Sequence, residues 1–389
     1  SANGTLVAQY WGKNDRKSAR TVTSIAMTFG LKVLVPVTLV ITLGAKLLMM
    51  LQTSDQSVID LGAAYLWYGF PVLLLTHIVI VTEASMRSSG DTVTPLILGA
   101  ITIALNIALN FVLIQGAFGL PAMGVAGAAL ATTLARLIQV GMMYAYMRVK
   151  KHWLLTTESS IHHPSLWLSY RRLALPLTLN AVLWAVGTMA YQMIFGHMGT
   201  TELAVFSMLA PFESLCYSVF FGISVACSVL LGHSLGRDEF DQAMRMGLTF
   251  IKAVVGFGVL VGAALFIGKE HVLTWLNLNE AALYPLASPA ITIMCFAVVI
   301  RMLNMVIING IIRAGGDNPF CLRMDFIAMW MVGIPVCFYG AFIAGWDFKY
   351  IYGLMLVEEV VKLAICSHRY MSRRWINNLT ISTEEPQAA

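Results

Sequence analysis

The sequence predicts an all-α integral membrane protein made of two homologous helical bundles, the first cut short at its N-terminal end. Three observations carry this. Hydrophobic residues make up 58% of the chain and charged ones 12%, about half the charged share of a soluble domain. Apolar segments long enough to cross a hydrocarbon core about 30 Å thick recur from end to end. Finally, MRSSGDTVTP (86–95) is echoed by IRAGGDNPF (312–320), with Arg87 and Arg313, Gly90 and Gly316, and Asp91 and Asp317 all 226 residues apart.

Ten spans follow from the apolar runs: 19–51, 60–88, 93–115, 123–147, 169–198, 202–235, 242–268, 282–313, 319–345 and 349–370. None alternates with period two in ten-residue blocks, which excludes a transmembrane barrel. Residues 1–12 are too short to span and read as the end of another helix. Lys and Arg stay cytoplasmic, and the loop ends carry sixteen of them on one side (Arg87, Arg148, Arg237, Arg313 and Arg369 among them) against Lys46, Lys269 and Lys349 on the other. Both echoed hairpins and the C-terminus therefore face the cytoplasm. The net charge of +5 is accounted for by this bias and implies no nucleic-acid partner.

A second echo fixes the repeat. ANGTLVAQYWGKND (2–15) aligns with ACSVLLGHSLGRDE (226–239) at an offset of 224, and in each a glycine, Gly12 or Gly236, is expected to end the helix. Two anchors at nearly one offset mean two like-oriented halves related by an axis along the membrane normal. About 59 residues precede the anchor in the second half and one precedes it in the first, so the expectation is a twelve-helix protein lacking its first helix and most of its second. The domains are then 1–148, a polar and basic linker at 149–168, 169–375, and a tail at 376–389. The six cysteines have no metal-ligand spacing and read as free thiols. His162 and His163 in the linker are read as surface residues, with no metal.

Within the hairpin, Gly90 permits a positive φ, Asp91 can cap the helix that follows and Pro95 lies in its first turn. Polar groups inside spans carry more information, because a charged one near the centre costs about 2.5–3.5 kcal/mol on insertion scales. Asn180, Trp184, Gly187 and Tyr191 fall on one helical face. They suit either a wall that holds flat cations or a packing seam. Glu213, with Tyr217 one turn on, is deep enough for burial to oppose its charge, which suits binding and release of a proton or cation. Arg301 requires a partner, for which Glu213 is nearest in depth, and Asn304 lies one turn from it. Asp325 has Asn309 at similar depth on the neighbouring antiparallel span, or Arg323 close by to neutralise it. Asn106 and Asn110 are one turn apart. Glu83 reads as an ion pair with Arg87, Lys32 is unexplained, and Met189, Met193, Met302, Met305 and Met329 are core or a pliable wall.

Several runs together resemble the multidrug and toxic compound extrusion (MATE) family: 86–114 with 119–138, 173–200, IIRAGGDNPF, MWMVGIPV (329–336) and VEEVVKLAICSHRYMSRRW (357–375). The resemblance covers essentially the whole chain. It implies two six-helix bundles around a central cavity in a bacterial-type inner membrane, a monomer in the lipid bilayer, and no cofactor. It also implies export of small cationic or amphipathic compounds in exchange for protons or sodium ions. Asn110 stands where one branch of the family has Asp, Asn304 where another has an acid, and Ala181 where many relatives have one. Glu213 and Asp325 are therefore the residues expected to handle the coupling ion. A lipid-linked oligosaccharide flippase of the same superfamily remains the alternative, although only Lys32 and Arg301 would supply the positive charge it needs. An enzyme is not expected: GHSLG (232–236) closes a span rather than a strand–turn–helix, and no P-loop is present.

Overall fold

A computed structural model describes residues 1–380, and among these there is no strand. The tail expected at 376–389 lies outside the described residues from 381 onward. Two compact units emerge, Leu6–Tyr170 and Ser1–Thr5 with Arg171 onward.

The first unit contains α1 (Ala2–Gly12, shared with the second), α2 (Arg16–Leu43), α3 (Ala45–Met50), α4 (Gln56–Tyr68), α5 (Val72–Ser88), α6 (Val93–Gln115), α7 (Val125–Val149) and α8 (Trp153–Thr156). Two expected spans are broken. Gly44 interrupts 19–51 after α2, and the Gly69–Pro71 break bends α4 from α5 by 44°. Proline lacks the N–H and crowds the preceding turn, so the break falls there. The linker belongs to this unit: Ser159 accepts from Ser24 Oγ at 3.2 Å and the Ser160 amide donates to Thr21 Oγ1 at 3.3 Å. His152 caps α8 through Nδ1, which accepts from the Leu154 amide. Burial holds this imidazole below its ordinary value, against the opposing pull of Asp91, and so keeps the cap in its accepting form.

The second unit contains α9 (Pro164–Met198, its residues up to Tyr170 counted with the first unit), α10 (Thr200–Gly236), α11 (Phe240–Ile267), α12 (Lys269–Trp275), α13 (Tyr284–Met305), α14 (Asn318–Asp325), α15 (Ile334–Phe338) and α16 (Phe348–Met371). α13 runs on into a π segment at Val306–Ile311, and α14 and α15 are joined and followed by π segments at Phe326–Gly333 and Tyr339–Ile343. Among the described spans, the one that contains α13 is the most buried. Its neighbours approach closely through small residues: a Cβ at Gly258 of α11 would stand 3.4 Å from the Val299 backbone.

Among the described residues, eight helices could cross a membrane by length and composition, or nine with the bent pair, rather than the ten expected. α16 is a full-length helix, but Lys349, Glu358, Glu359 and Lys362 make it too polar to count by itself.

Backbone geometry repeats at each sequence echo. Lys13, Asn14 and Asp15 donate to Gln9, Trp11 and Tyr10; Arg237, Asp238 and Glu239 donate to His233, Leu235 and Ser234. The left-handed residues are Asn14 (φ 69°) and Asp238 (φ 61°), two positions beyond the glycines expected to break the helices. Asn and Asp tolerate this region better than other L residues. In the second echo, Gly90 (φ 95°) and Gly316 (φ 74°) match, yet the aspartates part company. Asp91 accepts from the Thr94 amide at 3.1 Å, whereas Asp317 pairs with Arg369 at 2.6 Å.

Candidate functional site

The interior of the second unit holds a connected set of charged and polar side chains drawn from α9, α10, α13, α14 and α16. Glu213 on α10 accepts from Arg301 on α13 at 3.0 Å and from the Tyr352 hydroxyl on α16. Arg301 also reaches the Tyr217 hydroxyl at 3.3 Å, with its guanidinium carbon 5.8 Å from that ring's centre. Three residues along α13 from Arg301, Asn304 donates to both the backbone carbonyl and the carboxylate of Glu359, each at 2.8 Å.

A second group lies on the adjoining face of α16. Lys362 bonds Glu358 at 2.8 Å and Asp325 at 3.3 Å, and Tyr191 donates to Glu358 at 2.6 Å. Glu359 is within electrostatic reach of both Arg301 and Lys362, which couples the two groups. Room for the second group is made by Gly333, where a Cβ would meet the Tyr191 hydroxyl and, at 3.1 Å, the Glu358 side chain.

Four carboxylates (Glu213, Asp325, Glu358, Glu359) thus share two cations, Arg301 and Lys362. Burying an ion pair already costs most of what its attraction returns, and an excess of buried negative charge is costlier still.

The expected site residues are distributed unevenly around this cluster. Tyr191, Glu213, Tyr217, Arg301, Asn304 and Asp325 are in it, and the Glu213–Arg301 pair forms as the depths suggested. The contacts expected for Asp325 do not form. Asn309 accepts from Arg313 at 2.6 Å, one turn along its own chain, and Arg323 donates to the Pro319 carbonyl. Lys362 takes the place of both, because α16 presents its amine directly to the carboxylate. Asn180 is buried with Oδ1 unpartnered, while Trp184 on the same stripe is 61% exposed. Gly187 packs against Met329. Asn106 and Asn110 belong to the first unit and form their own chain, Asn110 donating to Asn106 at 2.8 Å and Asn106 to Thr132 at 3.5 Å. Glu83 bonds Arg87 at 3.2 Å, and Lys32 lies 5.6 Å from the Trp167 ring centre.

Tyr352, Glu358, Glu359 and Lys362 are cluster members that the sequence analysis does not single out as site residues. The signal was there: two carboxylates and a lysine at i, i+1 and i+4 in the middle of an apolar run need partners to be inserted at all.

Residues 1–112 and 176–339 match the family MatE. The probable multidrug resistance protein YoeA of Bacillus subtilis is 24% identical over 348 residues, which is 87% of this chain and 73% of that protein. A probable multidrug resistance protein NorM of Thermotoga maritima is 28% identical over 67% of this chain and 56% of its own length. Among solved structures, the Vibrio cholerae MATE transporter VcmN in its bent form superposes with a TM-score of 0.83 at 17% identity, covering 96% of this chain and 83% of that one. The eukaryotic MATE transporter AtDTX14 also gives 0.83 at 17% identity, covering 97% and 84%. Fold and sequence agree: this chain belongs to the MatE family of multi-pass membrane transporters, with the family's two-lobed all-helical fold.

Proposed function

We propose that the protein is a secondary antiporter that exports organic cations or other amphipathic compounds in exchange for protons or sodium ions, coupling the two at the buried cluster of the second unit. The observation that supports this is the imbalance of four carboxylates against two cations inside one helical unit. An entering proton or sodium ion neutralises part of the excess and loosens the hold on Arg301 or Lys362. Departure of that ion restores it. Since Glu213 ties α10 to α13, Glu358 ties α16 to α9 and Glu359 ties α16 to α13 by direct bonds, each change of charge alters how those helices are held together.

A single chain suffices for this cycle, because every member of the cluster lies within one unit. The arginine-rich ends support an inner-membrane placement with the end of α16 in the cytoplasm.

Glu213→Gln and Glu358→Gln, each assayed in inverted vesicles with an imposed proton or sodium gradient and a fluorescent cation, should lower gradient-driven efflux at least about tenfold while membrane insertion is unchanged. Efflux at the wild-type rate in both variants would remove the cluster from the coupling mechanism.

A further inference from the structure

We propose that a groove between α9 and α14, with the π segment that follows α14, holds one acyl chain of an anionic phospholipid whose phosphate rests on Arg323. The groove has a volume of about 650 Å³, and Arg323 is the charged residue of its lining. Leu179, Val182 and Val186 form one wall, Phe326 and Ile327 the other, and Trp330 the far end. The five wall residues are exposed, and the whole groove belongs to the unit that runs from Arg171 onward. Its size is that of a small-molecule site, yet its lining offers an almost unbroken apolar trough and a charge at one end.

The two walls run in the same direction and are pinned at two levels. Near the echoed hairpin, Asn318 donates to the Leu173 carbonyl at 3.1 Å; deeper in, Trp330 donates through Nε1 to the Leu183 carbonyl at 3.3 Å. Arg323 therefore stands at the hairpin end and Trp330 at the other. With its N–H spent on the α9 backbone, the indole has no polar atom left to offer, and a chain reaching that depth meets only carbon. The arginine bias puts the hairpin end on the cytoplasmic side, where the leaflet carries anionic lipids and basic pockets between spans bind their headgroups. An amphiphile with its head at Arg323 and its tail toward Trp330 would lie in the orientation of that leaflet.

Uncommitted positive charge sets the sign of the headgroup. Arg323 donates through Nε to the Pro319 carbonyl at 3.3 Å, one turn nearer the hairpin, and pairs with no carboxylate among the described residues. The nearest acids along its own chain are taken, Asp317 by Arg369 and Asp325 by Lys362. On the other wall, Arg172 lies seven residues before Leu179 and on the same helical face, about 10 Å further toward the hairpin end. It is exposed and likewise has no ion-pair partner among the described residues. A guanidinium matches phosphate in geometry as well as charge. A choline-headed lipid brings its own positive charge to the same place, and an organic cation would meet like charge there.

Lipid binding needs no gradient, so the test stands apart from the transport reading. The purified full chain in detergent is titrated with dioleoylphosphatidylglycerol or dioleoylphosphatidylcholine, and native mass spectrometry reads the first lipid bound. The glycerol-headed lipid should bind at least about fivefold more tightly, the worth of one arginine beside an anionic headgroup. Arg323→Gln should remove that preference, and Arg323→Lys should keep most of it. Val182→Trp, which fills the trough, should weaken both lipids to the same degree. Equal wild-type affinity for the two lipids, or an intact preference in Arg323→Gln, would overturn the proposal. So would unchanged binding of both lipids by Val182→Trp, which would put the acyl chain elsewhere. A dimer that Val182→Trp abolishes would assign the groove to a second copy of the chain and overturn it as well. Arg323 is exposed, so its two variants decide the question even if the tryptophan lowers the thermal unfolding midpoint.

Discussion

Lys362 has the most exacting position in the protein. It carries a four-carbon stem through the core of a helical unit and ends between Glu358 and Asp325, at 2.8 and 3.3 Å. Removing one partner of a buried ion pair costs about 3–5 kcal/mol, because the remaining charge is stranded. Lys362→Met should lower stability by about that amount. Lys362→Met combined with Glu358→Gln should recover part of the loss, since the second change removes one of the stranded charges. Chemical denaturation of the purified protein in detergent measures both, and strictly additive losses would show that Lys362 and Glu358 act independently. Arg301 has the same standing in the other half of the cluster, where one of its terminal nitrogens donates to both Glu213 and Tyr217.

Among the elements, the π segment Phe326–Gly333 borders the cluster. A π turn widens the helix and leaves backbone groups less regularly paired, and such turns concentrate at functional sites. This one ends at Gly333, the residue without a side chain beneath Tyr191 and Glu358. Gly333→Ala should cost about 1–3 kcal/mol by overpacking. It should cost clearly less in a Tyr191→Phe background, where the hydroxyl that the new methyl would meet is gone. A double-mutant cycle on unfolding midpoints reads the difference. Equal costs in both backgrounds would place the strain elsewhere. The echoed hairpins show a similar division of labour. They share a backbone path, yet Asp91 caps a helix while Asp317 holds Arg369 at the end of α16. Duplication preserved the turn, and the neighbours decided what its aspartate does.

At the scale of the whole molecule, α16 depends on the rest of its unit. Glu358, Glu359 and Lys362 at its middle would together cost several kcal/mol to place in lipid. All three find partners on α9, α13 and α14 instead. Fused alone to a glycosylation reporter, residues 348–371 should fail to insert as a span, whereas residues 240–267 should insert efficiently. Insertion of the isolated α16 segment at an equal level would show that its charges cost little. The helix completes its unit only where the other helices have already made a polar seam, so the cluster is part of how the unit assembles.

Apolar length, the arginine bias and the two echoes were legible because each depends on the chain alone: burial in lipid needs a run, orientation needs a count, and a repeated turn needs a repeated string. The pairing of Glu213 with Arg301 could be inferred because both lie deep in long spans and neither can stay unpaired. What the sequence by itself determined is therefore the class of protein, its repeat, and the places where charge enters the membrane. Only the tertiary structure decided which charges meet. Asp325 bonds Lys362 rather than Asn309 or Arg323, Trp184 is exposed from a stripe whose other members are packed, and α16 supplies two of the four carboxylates. Partner choice depends on helix rotation and on small residues such as Gly333 and Gly187, which set how closely two helices approach. Spacing along one chain carries no record of that distance.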